Sequence, residues 1–235
     1  MATKLCLGND WNNLLKLCNG KICIDIGANN GFVTSLMLEN GATKIYCIEP
    51  GNANCKQLQD KYKNDERIII YKIGCSDEKK ILKNVTWLNA WMIGDPKTIN
   101  FPVSPGACDV EGYQLVDIEL DTVDNLFTNT DEEISFMKID VDGYDYKVLK
   151  GSINLINRCR PIIIIELSCY YDVIEKNSVP EFIKFVKKNN YTFVDLFGKI
   201  VFDEYIIKEF PYHSSCDIFL CPTEKIDYFM EKFHG

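Results

Sequence analysis

Blocks of apolar residues recur along this chain at two spacings, and they alternate. Ile22, Cys23, Ile24 and Ile26 read as a strand buried on both faces. A helix is predicted from about Asn29 to Asn40. The rhythm repeats with a strand over 44–49, a break at Pro50 and Gly51, and a helix over 52–63 that turns Cys55, Leu58 and Tyr62 inward. A third strand is predicted over 67–73, with a loop at 74–77. Residues 115–120 alternate as a strand with one exposed face, and a short helix starts within 121–127. Then come a strand over 134–140 and a helix over 144–157 with Val148, Leu149, Ile153 and Ile156 on its inner side. The strand over 161–167 is almost wholly β-branched. A helix from 178 with Pro180 in its first turn, strands over 191–197 and 217–221, and a helix over 223–233 close the chain. Strands alternating with helices predict an α/β sheet covered on both faces.

Two stretches depart from the rhythm. Residues 10–19 read as an extra helix that packs on the sheet, capped by Asp10, with Trp11, Leu14, Leu15 and Cys18 on one face. Residues 81–113 are loop-rich and hold Trp87, Trp91, Phe101 and Tyr113 among several Pro and Gly. An insertion this long is uncommon unless it serves a function. It reads either as an acceptor lid with stacking aromatic faces or as a small β-hairpin excursion packed by those aromatics.

Composition narrows the class. The 235 residues fit one domain over 1–235, with 46% hydrophobic and 26% charged residues, as in an ordinary globular protein. A formal net charge of −8 disfavours nucleic acid, since phosphate binding is driven by Lys and Arg. The 11 cysteines include no C-x-x-C pair, and several fall inside predicted strands, so they read as small buried apolar residues. That usage suits a reducing, cytoplasmic compartment. No signal-peptide pattern opens the chain and no run is long enough to cross a membrane.

The chemistry gathers where strands end. Gly27 and Gly31 bracket a tight turn after the first strand, at the edge where open α/β sheets bind ligands. Asn29 stands where a dinucleotide site wants its second Gly, which counts against NAD. Asp25 lies two residues before Gly27, and an acid there suits a ligand bearing an ammonium group, such as S-adenosylmethionine. Glu49 ends the second strand, where an acid accepts hydrogen bonds from ribose hydroxyls. Ser76/Asp77 and Asp140/Asp142/Gly143 end the next two central strands on the same edge. Lys138 reads as a solvent-facing strand residue or an ion-pair partner.

Five motifs stand in order: residues 25–31 (D-I-G-A-N-N-G), 48–50 (I-E-P), 120–126 (L-D-T-V-D-N-L), 138–151 (K-I-D-V-D-G-Y followed by V-L-K-G), and 165–166 (I-E). Together they resemble the FkbM family of S-adenosylmethionine-dependent methyltransferases, over roughly residues 20–221. The resemblance implies a three-layer Rossmann-like class I fold with a seven-stranded, mostly parallel sheet and an antiparallel last strand. It implies that Asp25, Gly27, Asn29 and Gly31 cradle the methionine part of the cofactor and that Glu49 binds the ribose. It places Ser76 and Asp77 near the adenine, and Asp140 beside the transferable methyl. The family usually has Glu where this chain has Asp142.

Methyl transfer to a hydroxyl also needs a base. The candidates are Asp140, Asp142, Glu166 and His213; Asp140, Asp142 and Glu166 could instead hold Mg2+. The expected activity is O-methylation of a sugar, glycan precursor or small metabolite. The alternatives are a non-catalytic nucleoside-binding scaffold and an RNA ribose 2′-O-methyltransferase, the latter opposed by the acidic charge.

Overall fold

The computed structural model describes residues 14–88, 91–94, 113–141, 143–168, 178–203 and 215–234; of residues 86–88, 91–94, 113–115, 168, 178 and 215 it describes the backbone alone. The first elements are β1 (Ile22–Ile26), α1 (Phe32–Glu39), β2 (Lys44–Ile48), α2 (Asn52–Tyr62) and β3 (Ile68–Tyr71). Next come β4 (Gly74–Cys75), β5 (Lys80–Leu88), β6 (Trp91–Gly94), β7 (Tyr113–Asp121), α3 (Val123–Leu126) and β8 (Ile134–Ile139). The last are α4 (Asp145–Lys150), α5 (Ile153–Cys159), β9 (Ile162–Ser168), α6 (Ser178–Lys188), β10 (Tyr191–Val194), β11 (Ser215–Pro222) and α7 (Ile226–His234). Among the described residues no helix is long and apolar enough to cross a membrane.

Seven strands form the main sheet in the order β3-β2-β1-β8-β9-β11-β10. All neighbours are parallel except β11, which runs antiparallel to both β9 and β10. This is the mostly parallel sheet with an antiparallel last strand that the motifs imply. Because side chains alternate across a strand, β1 sends Ile24 and Ile26 to one face and Cys23 and Asp25 to the other. The first face packs with Val148, Leu149, Leu155 and Phe182 of α4, α5 and α6. The second packs with Met37, Leu58, Phe229 and Phe233 of α1, α2 and α7. Parallel strands buried on both sides need such continuous apolar runs, and β9 supplies one in Ile162, Ile163, Ile164 and Ile165, all buried.

The structure corrects one expected helix and meets other expectations in part. Of the predicted insertion, residues 81–88 belong to β5 and 91–94 form β6, an antiparallel pair as the β-hairpin reading expects, and both lie in a second, four-stranded sheet in the order β4-β7-β5-β6. The rest of the predicted insertion, residues 89–90 and 95–112, lies outside the described residues, as do residues 10–13 of the predicted first helix. From residue 14 the chain forms one helical turn, which continues into a 3-10 turn over Lys16–Cys18. The single helix predicted over 144–157 is two helices, α4 and α5, broken at Gly151 and Ser152. A Cβ at Gly151 would stand 2.1 Å from the Ser76 carbonyl oxygen, so the break lets the loop after β4 lie against the helix pair. The eight described cysteines are buried and none forms a disulfide; Cys6, Cys108 and Cys169 lie outside the described residues.

Candidate functional site

Gly27 follows β1 in the left-handed region, φ 77°, where only glycine is at ease. Its N–H donates to the Ile48 carbonyl at 2.9 Å, tying the turn to the end of β2. A Cβ there would stand 1.9 Å from the Asp140 carbonyl oxygen. The missing side chain therefore admits the end of β8 rather than a ligand. Asn29 also has positive φ, at 49°, and this aims its N–H at Glu49 Oε2, 2.9 Å away. Glu49 Oε1 accepts from the Gly51 N–H at 2.7 Å and from the Asn54 amide at 3.3 Å. Burial pushes the Glu49 carboxyl up, and these donors oppose it. The acid at the end of β2 is thus held rigidly against the turn.

The sheet edge opens into a cavity of about 280 Å³. Gly27, Ala28, Asn29, Glu49, Lys138 and Asp140 line its polar side; Cys75, Leu82, Ile118, Leu120 and Tyr144 line its apolar side. The second sheet, through β4, β5 and β7, therefore supplies much of the apolar wall. Phe32, the first residue of α1, also lines the cavity and is 58% exposed, which puts an aromatic ring at its mouth.

Lys138 is 3% exposed, so the solvent-facing reading is corrected and the ion-pair reading holds. Its ammonium donates to the Gly27 carbonyl at 2.9 Å and lies 3.1 Å from Asp140 Oδ2 and 3.5 Å from Asp25 Oδ1. Burial alone would depress its pKa; Asp140 and Asp25 override that and hold it above the ordinary lysine value.

Of the cofactor candidates, Gly27, Asn29, Glu49 and Asp140 meet at the cavity, and four do not line it. Asp25 is fully buried beneath the turn, its Oδ2 taken by the Thr34 hydroxyl of α1 at 2.6 Å. Gly31 starts α1 at φ 76°, and a Cβ there would strike Leu58 at 2.7 Å, so it serves helix packing. Ser76 is fully buried and its hydroxyl donates to Asp77. Asp77 pairs with Lys150 at 2.9 Å, which lowers its pKa although burial opposes.

Of the two described base candidates, Asp140 lines the cavity. Glu166 does not; it faces Asp217 across the β9–β11 pair. Asp142 and His213 lie outside the described residues. No group of three or more His, Cys, Asp or Glu is placed to hold a metal ion among the described residues, and Mg2+ finds no support there.

Two acids escape a reading of the sequence, Asp145 fully buried and Asp217 half-buried. Asp145 caps the loop after β8, accepting from the N–H groups of Val141 and Gly143, each at 2.9 Å. Burial, then Glu166 and Asp140, push its carboxyl up. Asp217 is pushed up to about 7 by burial first and then by Asp140, against Lys138. A third acid after D-V-D and a lone Asp in an apolar strand are the available signals.

Comparison with known proteins bears on this edge. Residues 25–193, well over half of the chain, match the family described as the methyltransferase FkbM domain. The chain aligns with the solved structure of a methyltransferase FkbM from Methylobacillus flagellatus at a TM-score of 0.52 and 14% identity, covering 85% of this chain and 43% of that one. An rRNA methylase from Streptococcus thermophilus aligns at a TM-score of 0.49 and 12% identity, covering 90% and 93%. A 49-residue stretch is 43% identical to Hemolysin A of Brachyspira hyodysenteriae, 21% of this chain and 19% of that protein. The chain thus spans less than half of the first structural relative and about a fifth of the last.

Proposed function

The chain belongs to the methyltransferase FkbM domain family, and from that premise we propose that it transfers a methyl group from S-adenosylmethionine to a hydroxyl of a sugar, glycan precursor or small metabolite. The observation that carries the reading is the polar side of the cavity, where two carboxylates, Glu49 and Asp140, flank a left-handed turn. Close to Asp140, one ammonium, that of Lys138, stands against the carboxylates of Asp140 and Asp25. The local charge is therefore negative, which suits a ligand with an ammonium and a sulfonium better than a diphosphate.

When bound, the cofactor supplies an electrophilic methyl on sulfur. Glu49 is held by three donors and would accept from the ribose hydroxyls with little further ordering. Ile48, Pro50, Ile73 and Cys75 offer the flat apolar surroundings an adenine needs. Asp140 would orient the acceptor hydroxyl and take its proton through the oxygen not engaged by Lys138. Phe32, Leu82 and Tyr144 would form the acceptor wall, with the exposed ring of Phe32 suited to the apolar face of a sugar.

The test has two stages. Calorimetry with S-adenosylhomocysteine should give saturable binding that is weakened by Glu49→Gln. Labelled methyl transfer to a panel of hydroxylated saccharides and small alcohols should then find an acceptor. Absence of cofactor binding at millimolar concentration sinks the reading. Binding without turnover on any hydroxyl supports a non-catalytic role instead.

A further inference from the structure

We propose that Lys138 is a positioning residue for methyl transfer: its ammonium clamps the Gly27 carbonyl, the Asp140 carboxylate and the buried Asp25 carboxylate into one unit, and so fixes how the turn after β1 and the end of β8 meet the cofactor. The inference rests on the cofactor reading above and extends it to a lysine for which the sequence suggested no role in the reaction. Strand register makes Lys138 the direct neighbour of Asp25 on β1. Their side chains share the face that packs on α1, where the Thr34 hydroxyl holds the other oxygen of Asp25. A continuous polar path therefore runs from α1 through Asp25 to Lys138 at the cavity wall and on to Gly27 and Asp140 beside it.

Stability alone gives this arrangement little reason to exist. A buried ion pair generally adds little over well-packed apolar side chains. Asp25 Oδ1 has no hydrogen-bond partner and relies on the ammonium 3.5 Å away. What the ammonium adds is geometry: three donors on a compact centre hold elements from two strands at once. It also commits one Asp140 oxygen, so that the other is presented to the cavity in a single orientation.

The decisive variant is the double substitution K138M/D25N, which removes the cation together with the buried charge it serves and so protects folding. A thermal melt checks that the variant is folded. Hydrogen exchange at residues 27–31 is expected to speed up by about tenfold, and the S-adenosylhomocysteine Kd to rise by about tenfold. Adding D140N should weaken binding much less in the double variant than in the wild type, since Asp140 has already lost its anchor. Exchange and Kd both within about twofold of wild type, or a D140N effect that is simply additive, overturn the proposal. If the double variant does not fold, Lys138→Arg keeps the charge but not the compact donor geometry; the same direction is expected and the same limits apply. Wild-type protein that binds no S-adenosylhomocysteine refutes the cofactor reading, and the exchange comparison still decides whether Lys138 holds the turn.

Discussion

The two sides of the cavity are built by different rules. On the main-sheet side almost every polar group is engaged by another: Glu49 by the Asn29 and Gly51 N–H groups, Asp140 by Lys138, and the Gly27 carbonyl by the same ammonium. On the second-sheet side the described lining is Cys75, Leu82, Ile118 and Leu120, with no charge at all. A hydrogen-bonded frame tolerates little change, because an orphaned buried partner costs its full desolvation. An apolar wall tolerates change of size and shape more cheaply. The first side suits a ligand that never varies and the second an acceptor that can, which is the division of labour expected of a methyltransferase domain.

The sharpest way to break this contrast is Gly27→Ala. The new methyl would need a left-handed backbone and would overlap the Asp140 carbonyl, so a loss of roughly 3 kcal/mol in unfolding free energy is expected by denaturant titration. Glu49→Ala removes the acceptor for two backbone donors and is expected to raise the S-adenosylhomocysteine Kd roughly 30-fold, about 2 kcal/mol, in calorimetry. Asp217→Asn asks how far the charged frame extends. Its folded pKa of about 7 lies above that of an unfolded aspartate, so the folded state keeps a proton that the unfolded state loses. Wild-type stability should fall between about pH 4 and pH 7 on this account. The variant should melt higher than wild type at pH 8 and lose that margin by pH 4; equal melting at pH 8 contradicts the charge frame. The smallest effect belongs to Leu82→Ala on the other wall: cofactor Kd within about threefold of wild type, with acceptor KM raised by more. An equal effect on both ligands would erase the distinction.

The same divide decides how much is legible in the sequence. The parallel strands can be read because both faces are buried, leaving near-continuous runs such as Ile162–Ile165. The acids at strand ends can be read because topology sends those ends to one edge. Of the second sheet, β7 can be read from its alternation over 115–120, but β5 is harder: it spells K-I-L-K-N-V-T-W-L, whose Lys and Asn interrupt the period-2 pattern, with a register shift between Leu82 and Val85. Gly27 and Gly31 stand out in the sequence as a ligand cradle, yet a sequence does not say whether backbone or a small molecule fills the space beside a glycine. Lys138 is obscure for a related reason. A lysine in a strand is normally at the surface, and only the register opposite Asp25 explains its burial.

The contact between Gly151 and Ser76 carries a last consequence. Gly74 and Cys75 pair with β7, the Ser76 N–H donates to the Asp121 carbonyl, and the Asp124 N–H donates to the Gly151 carbonyl. The second sheet is therefore riveted to the body of the molecule at its β4 end, and Val85, Ile118 and Leu120 also pack against Tyr144. Evolution can lengthen or restyle the far end of that sheet without loosening the rivet, and one donor-binding chassis can carry many different tools.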